Sequence, residues 1–180
     1  GDPGAFMDRS LMESVAHQML EGMLIAAYAV GATKLFIYCR AEYPLAIRNL
    51  KYAIEQLTEL GLNNISGQNL QIIIKEGAGA FVCGEETALI AAIEGRRGTP
   101  HIRPPFPAEE GLWGCPTLVN NVETFALVPG IITNGAEWYR SQGVDGSVGI
   151  QFLGLPGPVA NPGVSQLPVG PTGPDFVAQQ

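Results

Sequence analysis

Two adjacent carboxylates, Glu85 and Glu86, follow a run of glycines at Gly77, Gly79 and Gly84. Glycines between a strand and a helix let the backbone approach a phosphate or a planar ring closely. The spacing is not GxGxxG, and a tight turn with positive φ uses the same residues. The carboxylates suit a helix start, where each is worth roughly 0.3–1 kcal/mol against the dipole. They equally suit a position beside a redox ring or a nicotinamide. Two carboxylates repel a phosphate, so this turn is expected to face a neutral ring.

A second set lies in Arg96-Arg97-Gly98-Thr99-Pro100-His101-Ile102-Arg103-Pro104-Pro105-Phe106, which carries basic residues and no acid in an acidic chain. Guanidinium groups bind phosphate, and Phe106 and the nearby Trp113 offer faces for a base. A solvated loop with inward-packed aromatics is the plain alternative. A third set is Val119-Asn120-Asn121-Val122-Glu123-Thr124. Paired Asn and Thr at a helix start hold a phosphate or the polar edge of a ring, or simply cap the helix. His17 and His101 are the only histidines. Neither belongs to a Ser/His/Asp or Cys/His arrangement, and His17 reads as structural or exposed. Cys39, Cys83 and Cys115 lie far apart with no CxxC pair. No zinc or iron–sulfur site is expected within this chain, and a reducing compartment is the natural setting.

The elements that must position these groups follow from periodicity. Met12, Val15, Met19 and Met23 predict one helix over 10–30, stopped by Gly31. The segment 34–39 predicts a buried strand. Pro44 opens a helix with Ile47, Leu50, Ile54 and Leu57 on its buried face, and Gly61 ends it. After a polar loop, 70–75 predicts a second buried strand. Strand, helix, strand at this spacing is a βαβ unit with a parallel sheet and flanking helices. A helix over 85–94 follows the glycines, then a proline-rich loop over 95–116. Asn120 and Glu123 predict a capping box for a helix reaching about Thr133, with Pro129 as a kink site. A short amphipathic piece covers 135–140. Strands are expected over 149–153 and 164–167.

The 180 residues carry a net charge of −7, with 46% hydrophobic and 15% charged residues. Nucleic acid and an anionic membrane surface are therefore poor partners. No apolar run reaches membrane-spanning length, so no direct membrane insertion is expected. The chain opens on Gly1-Asp2-Pro3-Gly4 without Met and reads as cut from something longer. Composition shifts after about Ser147. The expected organisation is an α/β domain over 1–147, lacking its N-terminal part, and the start of a small β-rich domain over 148–180.

Five segments together resemble one family. They are 1–9 (GDPGAFMDR), 40–44 (RAEYP), 77–89 (GAGAFVCGEETAL), 103–107 (RPPFP) and 120–124 (NNVET). The family is the NADH-binding flavoprotein subunit of respiratory complex I. It includes the diaphorase subunits of NAD-linked and electron-bifurcating hydrogenases and of NAD-linked formate dehydrogenases. The resemblance implies a Rossmann-like FMN domain, then a ubiquitin-like β-grasp domain, then a helical domain holding a 4Fe–4S cluster beyond this chain. It implies hydride transfer between NAD(H) and FMN, with electrons passed singly to iron–sulfur centres.

The resemblance also implies site residues. Gly84, Glu85, Glu86, Asn120, Asn121 and Thr124 would line the FMN pocket, with Phe81 and Val119 near the ring. Asp2, Glu86, Arg103 and Phe106 would lie on the NADH side, Phe106 stacking on the adenine. Three departures stand out: Phe81 where Tyr is frequent, Arg103 where Lys is usual, and Ser14-Val15-Ala16-His17 where Asp-Pro-His is common. The family's glycine-rich phosphate loop would precede Gly1. The implied partners are a thioredoxin-like 2Fe–2S subunit and further subunits of a redox complex, in the cytoplasm or on the cytoplasmic face of a membrane complex. Two other readings are a flavin-like subunit of a membrane ion pump and a non-catalytic nucleotide-binding or assembly module.

Overall fold

The computed structural model describes residues 6–144 and 147–150. Two helices come first, Met7–Ser14 (α1) and Ala16–Val30 (α2). One helix was expected here, but Val15 leaves helical geometry at φ −131° and ψ 38°. The break is one residue wide, since the Val15 N–H still reaches the Leu11 carbonyl at 2.8 Å. Bending there turns Leu11 and Met12 of α1, and Met19 and Leu20 of α2, into one core. A β-branched residue gives up helical geometry at small cost. Gly31, at φ 73°, caps α2 in the left-handed region as its sequence predicts.

Lys34–Arg40 forms β1. Pro44–Glu59 (α3) begins on a proline whose missing N–H costs nothing in the first turn. The polar loop after α3 folds further than its composition suggests. Asn64–Ile65 (β2) and Gln68–Asn69 (β3) pair antiparallel around Ser66 and Gly67, both at positive φ. That backbone is the one a two-residue hairpin turn requires. Gln71–Gly77 (β4) then lies parallel to β1, with Leu35 opposite Ile72 and Ile37 opposite Ile74. Leu70 stands just before the strand and is itself buried.

A 3-10 turn at Phe81–Gly84 leads into Glu86–Ile93 (α4). A second 3-10 turn, Leu112–Gly114, precedes Val122–Asn134 (α5). Ala136–Ser141 (α6) and the ribbon Gly143–Val144 (β5) with Ser147–Val148 (β6) complete the described chain. Gly149 and Ile150 are not in a strand. The rest of the strand expected over 149–153, the strand over 164–167 and nearly all of the expected second domain lie outside the described residues.

The β1–β4 sheet carries helices on both faces, as the α/β class requires. Leu35, Ile37 and Cys39 point into a large core shared with α1, α2 and α3. Phe36 and Tyr38 point the other way, onto a smaller cluster of Ile90, Ile93, Leu112 and Val119. Burial pushes the Cys39 thiol up to about 11, with Glu76 adding to it, so this sulfur stays protonated.

Helices α2 and α5 approach most closely at Gly22, where an added Cβ would collide with the Phe125 backbone. Beside it, Gln18 Nε2 donates to the Ala126 carbonyl at 2.6 Å. Gly22→Ala is therefore expected to lower stability by about 1–3 kcal/mol, because backbone, not a flexible side chain, must yield. Urea unfolding at constant m-value checks it. An unchanged midpoint would mean that the helices do not meet there.

Candidate functional site

In open parallel sheets, ligands bind where the carboxyl ends of strands leave room between loops. Here β1 ends at Arg40 and β4 ends opposite it at Gly77. The turn after β4 is tied back by the Ala41 N–H, which donates to the Gly77 carbonyl at 2.9 Å. Gly79 takes φ 73° and leaves space for the side chains of Arg40 and Glu42.

A cavity of about 1010 Å³ runs along β1. Its walls include Met19 and Met23 from α2, Leu89 and Ile90 from α4, and the Val119–Asn121 segment. Trp113 closes part of it and meets Phe36 edge-on, ring centroids 5.4 Å apart. Among the described residues, the charged ones in its lining are Lys34 and Arg40, at the two ends of β1, and no carboxylate joins them. Tyr38, also in the wall, is pushed up to about 12 by burial first and by its hydrogen bond with Cys83 second. A phenol held neutral in this way is no base at physiological pH.

The glycine–carboxylate motif folds into a cap. Glu85 is the N-cap of α4: its Oε2 accepts from the Thr87 N–H at 2.9 Å and the Ala88 N–H at 3.0 Å. The helix therefore begins one residue later than the sequence suggests. Glu85 Oε1 stands 4.0 Å from Arg103 Nη2, and Glu86 Oε1 pairs with Arg103 Nη1. The Arg103 guanidinium lies 5.9 Å from the Phe106 ring centroid. Glu85, Glu86, Arg103 and Phe106 thus form one cluster at the start of α4, and Gly84 adjoins it along the chain. Phe81 is 70% exposed and Phe106 52% exposed, so both rings offer open faces.

The proline-rich loop is ordered by its polar contacts. The His101 N–H donates to Thr87 Oγ1 at 2.8 Å. The Trp113 N–H donates to Glu94 Oε1 at 2.6 Å. Burial alone would raise the Glu94 carboxyl, but the bonds from Trp113 and Arg96 hold it below its usual range. The loop is thereby fastened to both ends of α4.

The third motif differs from expectation by one residue. Asn121, not Asn120, caps α5: its Oδ1 accepts from the Glu123 N–H at 2.7 Å. The Asn120/Glu123 box does not form, because α5 begins at Val122 and the capping position falls on Asn121. Val119, Asn120 and Asn121 all line the cavity, while Thr124 is exposed and is not part of the lining. Asp2 lies outside the described residues. His17 is exposed and within 2.9 Å of Gln56 Oε1. Among the described residues, no three His, Cys, Asp or Glu side chains stand together as metal ligands.

Asp8 is the residue that sequence reasoning missed. A carboxylate in the first turn of a helix ordinarily reads as a surface partner of the dipole. Here it is 3% exposed, and its Oδ2 accepts from Asn121 Nδ2 at 3.1 Å. Its Oδ1 is buried without a partner among the described residues. Asp8 and the Glu123 N–H together fix both ends of the Asn121 carboxamide. That leaves Asn120 as the amide with the greater freedom to meet a ligand.

Burial raises the Asp8 carboxyl from 3.8 to about 6, against the lowering effect of Asn121 and with a further rise from Glu123. The folded state thus favours the neutral acid. That stabilisation is complete below about pH 4 and is lost as pH rises through about 6. Asp8→Asn keeps an acceptor for Asn121 and removes the titration. The stability of the variant relative to wild type is expected to rise by roughly 1–2 kcal/mol between pH 5 and pH 8. Denaturant melts of both proteins at the two pH values test this, and parallel pH profiles would refute it.

Residues 1–130 match the family model described as the Nuo51 FMN-binding domain. The NADP-reducing hydrogenase subunit HndC of Solidesulfovibrio fructosivorans is 52% identical over 174 residues, covering 94% of this chain and 35% of its own length. A subunit of the NADH-quinone oxidoreductase of Escherichia coli (strain K12) is 47% identical over 175 residues, covering 95% of this chain and 39% of its own. A crystal structure of an NAD+-reducing NiFe hydrogenase in the H2-reduced state superposes with a TM-score of 0.75 at 42% identity, over 83% of this chain and 25% of that one. The chain spans well under half the length of these curated relatives. With its parallel sheet and this match over residues 1–130, the chain belongs to the Nuo51 FMN-binding domain family.

Proposed function

We propose that this chain forms part of the FMN- and NAD(H)-binding region of an NADH-oxidising flavoprotein subunit. The observation that carries the proposal is the cavity that runs the length of β1 and reaches Arg40 at its carboxyl end, walled by Val119, Asn120 and Asn121 within the matched family region. Its apolar walls suit a planar ring, and its amides suit the ring's polar edge. FMN, when bound, supplies two-electron chemistry with NADH and one-electron chemistry with iron–sulfur acceptors outside this chain.

Hydride transfer between bound NAD(H) and FMN would need no protein acid or base, so this chain's residues would supply position and electrostatics. On this proposal Val119, Asn120 and Asn121 hold the flavin from the wall. Gly84, Glu85 and Glu86 border it at the start of α4, with Phe81 beside the ring. Glu85 reaches this role with one carboxylate oxygen already committed to its cap. Thr124, exposed on α5 and outside the cavity lining, remains part of the proposed flavin site. The nicotinamide nucleotide lies on the side of Glu86, Arg103 and Phe106, where an exposed aromatic face meets a base. Asp2 completes that side.

The whole protein then acts as a subunit of a redox complex. Its partners are a thioredoxin-like 2Fe–2S subunit and further electron carriers, with a 4Fe–4S cluster in the longer polypeptide. None of the helices in the described residues is long and apolar enough to cross a membrane. The proposed setting is the cytoplasm or the cytoplasmic face of a membrane complex.

The test is direct. The full-length gene product should carry flavin, and NADH should bleach its absorbance under anaerobic conditions. A colourless protein that neither takes up FMN nor responds to NADH would refute the proposal and favour a non-catalytic module.

The Glu86–Arg103 pair makes a sharper claim. Glu86 places a negative charge beside the nucleotide and occupies the guanidinium that would otherwise meet it. Glu86→Gln is expected to tighten NAD+ by several-fold, about 1 kcal/mol. Product-inhibition constants measure it. An unaltered constant would place Glu86 away from the nucleotide.

A further inference from the structure

Arg40 ends β1 at the carboxyl edge of the sheet and lines the cavity. Its side chain is only 15% exposed, yet its hydrogen-bonding capacity is largely unspent. Nη2 donates to Glu42 Oε1 at 3.2 Å. The Glu42 side chain is 50% exposed, so this pair is wet and cheaply exchanged. The guanidinium carbon stands 5.3 Å from the Tyr43 ring centroid, which fixes the plane without using an N–H. Nε is buried and has no acceptor among the described residues. A buried donor on a permanent cation is costly to leave unpaired, and such groups in native proteins ordinarily have a partner.

The surroundings say what kind of partner is missing. Arg40 packs beneath the glycine turn, where a Cβ on Gly79 would stand 2.7 Å from Nη2. The bare glycine lets the guanidinium reach the level of the turn. Both charged residues of the cavity lining are cationic, although the chain as a whole carries −7. Lys34 stands at the far, amino end of β1, which leaves Arg40 as the cation at the ligand-binding edge. A planar guanidinium with free donors matches the paired oxygens of a phosphate, and a carboxylate such as Glu42 is easily displaced by one.

We propose that Arg40 is a phosphate anchor: its guanidinium takes a phosphate group of the nucleotide ligand whose ring occupies the cavity. This rests on the flavin and nicotinamide proposal above and adds the residue that recognises the anionic end. FMN and the dinucleotide both carry phosphate, so the experiment separates them by comparing each with its phosphate-free counterpart.

The full-length gene product is stripped of flavin and titrated with FMN and with riboflavin by fluorescence quenching, as wild type, Arg40→Gln and Arg40→Lys. ADP-ribose and adenosine form the second pair. In Arg40→Gln, the phosphate-bearing member of one pair is expected to weaken about 10- to 100-fold. Its counterpart should stay within about twofold. Arg40→Lys, which keeps the charge and the stem against Tyr43, should recover part of the loss. A collapsed FMN preference assigns the phosphate to the flavin, and a collapsed ADP-ribose preference assigns it to the dinucleotide. Equal losses for both members of each pair, or preferences unchanged in a folded Arg40→Gln, overturn the anchor and leave the cavity's ring-binding role standing. Wild-type protein that binds none of the four ligands would overturn both.

Discussion

The parallel register of β1 against β4 is the constraint on which the rest depends. Two parallel strands cannot be joined by a tight turn, so a crossover helix must lie between them, and α3 takes that place. In-register pairing brings both strands to their carboxyl ends together, Arg40 opposite Gly77. The chain must leave the sheet twice at the same edge, and the two departures form the floor of the site. Shifting the register by one residue would send Phe36 and Tyr38 into the large core and Leu35 and Ile37 onto the smaller cluster of Ile90, Ile93 and Leu112. Alternating burial on both faces of β1 makes such a slip costly.

Charge placement at the site follows a consistent logic. The carboxylates that could repel a nucleotide are each engaged. Glu85 caps a helix, Glu86 pairs with Arg103, and Glu94 holds the Trp113 backbone. Asp8 is different, because it is buried and half unsatisfied. Asp8 gives up stability above its raised pKa and in return holds Asn121, and through it the segment that walls the cavity. A buried group of this kind persists where the surrounding structure fixes it firmly.

Much of the fold was legible in the chain. The run over 34–39, Pro44 with its apolar face, Gly31 and Gly61 gave the βαβ unit nearly as it stands. These signals are local: steric limits on φ, a missing N–H and a repeat of two or 3.6 residues act before any tertiary contact forms. The errors have physical causes too. The Ser10–Val30 helix breaks because burial on two sides outweighs one unbroken hydrogen-bond ladder. The β2–β3 ribbon was hidden because Ser66 adopts positive φ, which its residue type does not announce.

The site divides along the same line. The residue types that suit a flavin or nucleotide site could be named from the sequence, since carboxylates after glycines and amides at a helix start have few chemical uses. Their groupings could not. Which of Asn120 and Asn121 caps α5, whether Glu86 stands free or paired, and whether Thr124 faces the cavity all depend on helix phase and on loops packing from distant parts of the chain. Asp8 and Arg40 fall within segments that carry the family resemblance, but residue type gives neither a role, as an acid in a helix's first turn and an arginine at a strand end are ordinary surface features. Only the packing of α1 on α5, and of the glycine turn over β1, removes water from them and makes their unpaired atoms consequential. Residue order was enough to set the elements and the chemistry available to them. Packing set which of those groups are desolvated and which are paired, because burial and pairing are properties of neighbours, not of residues.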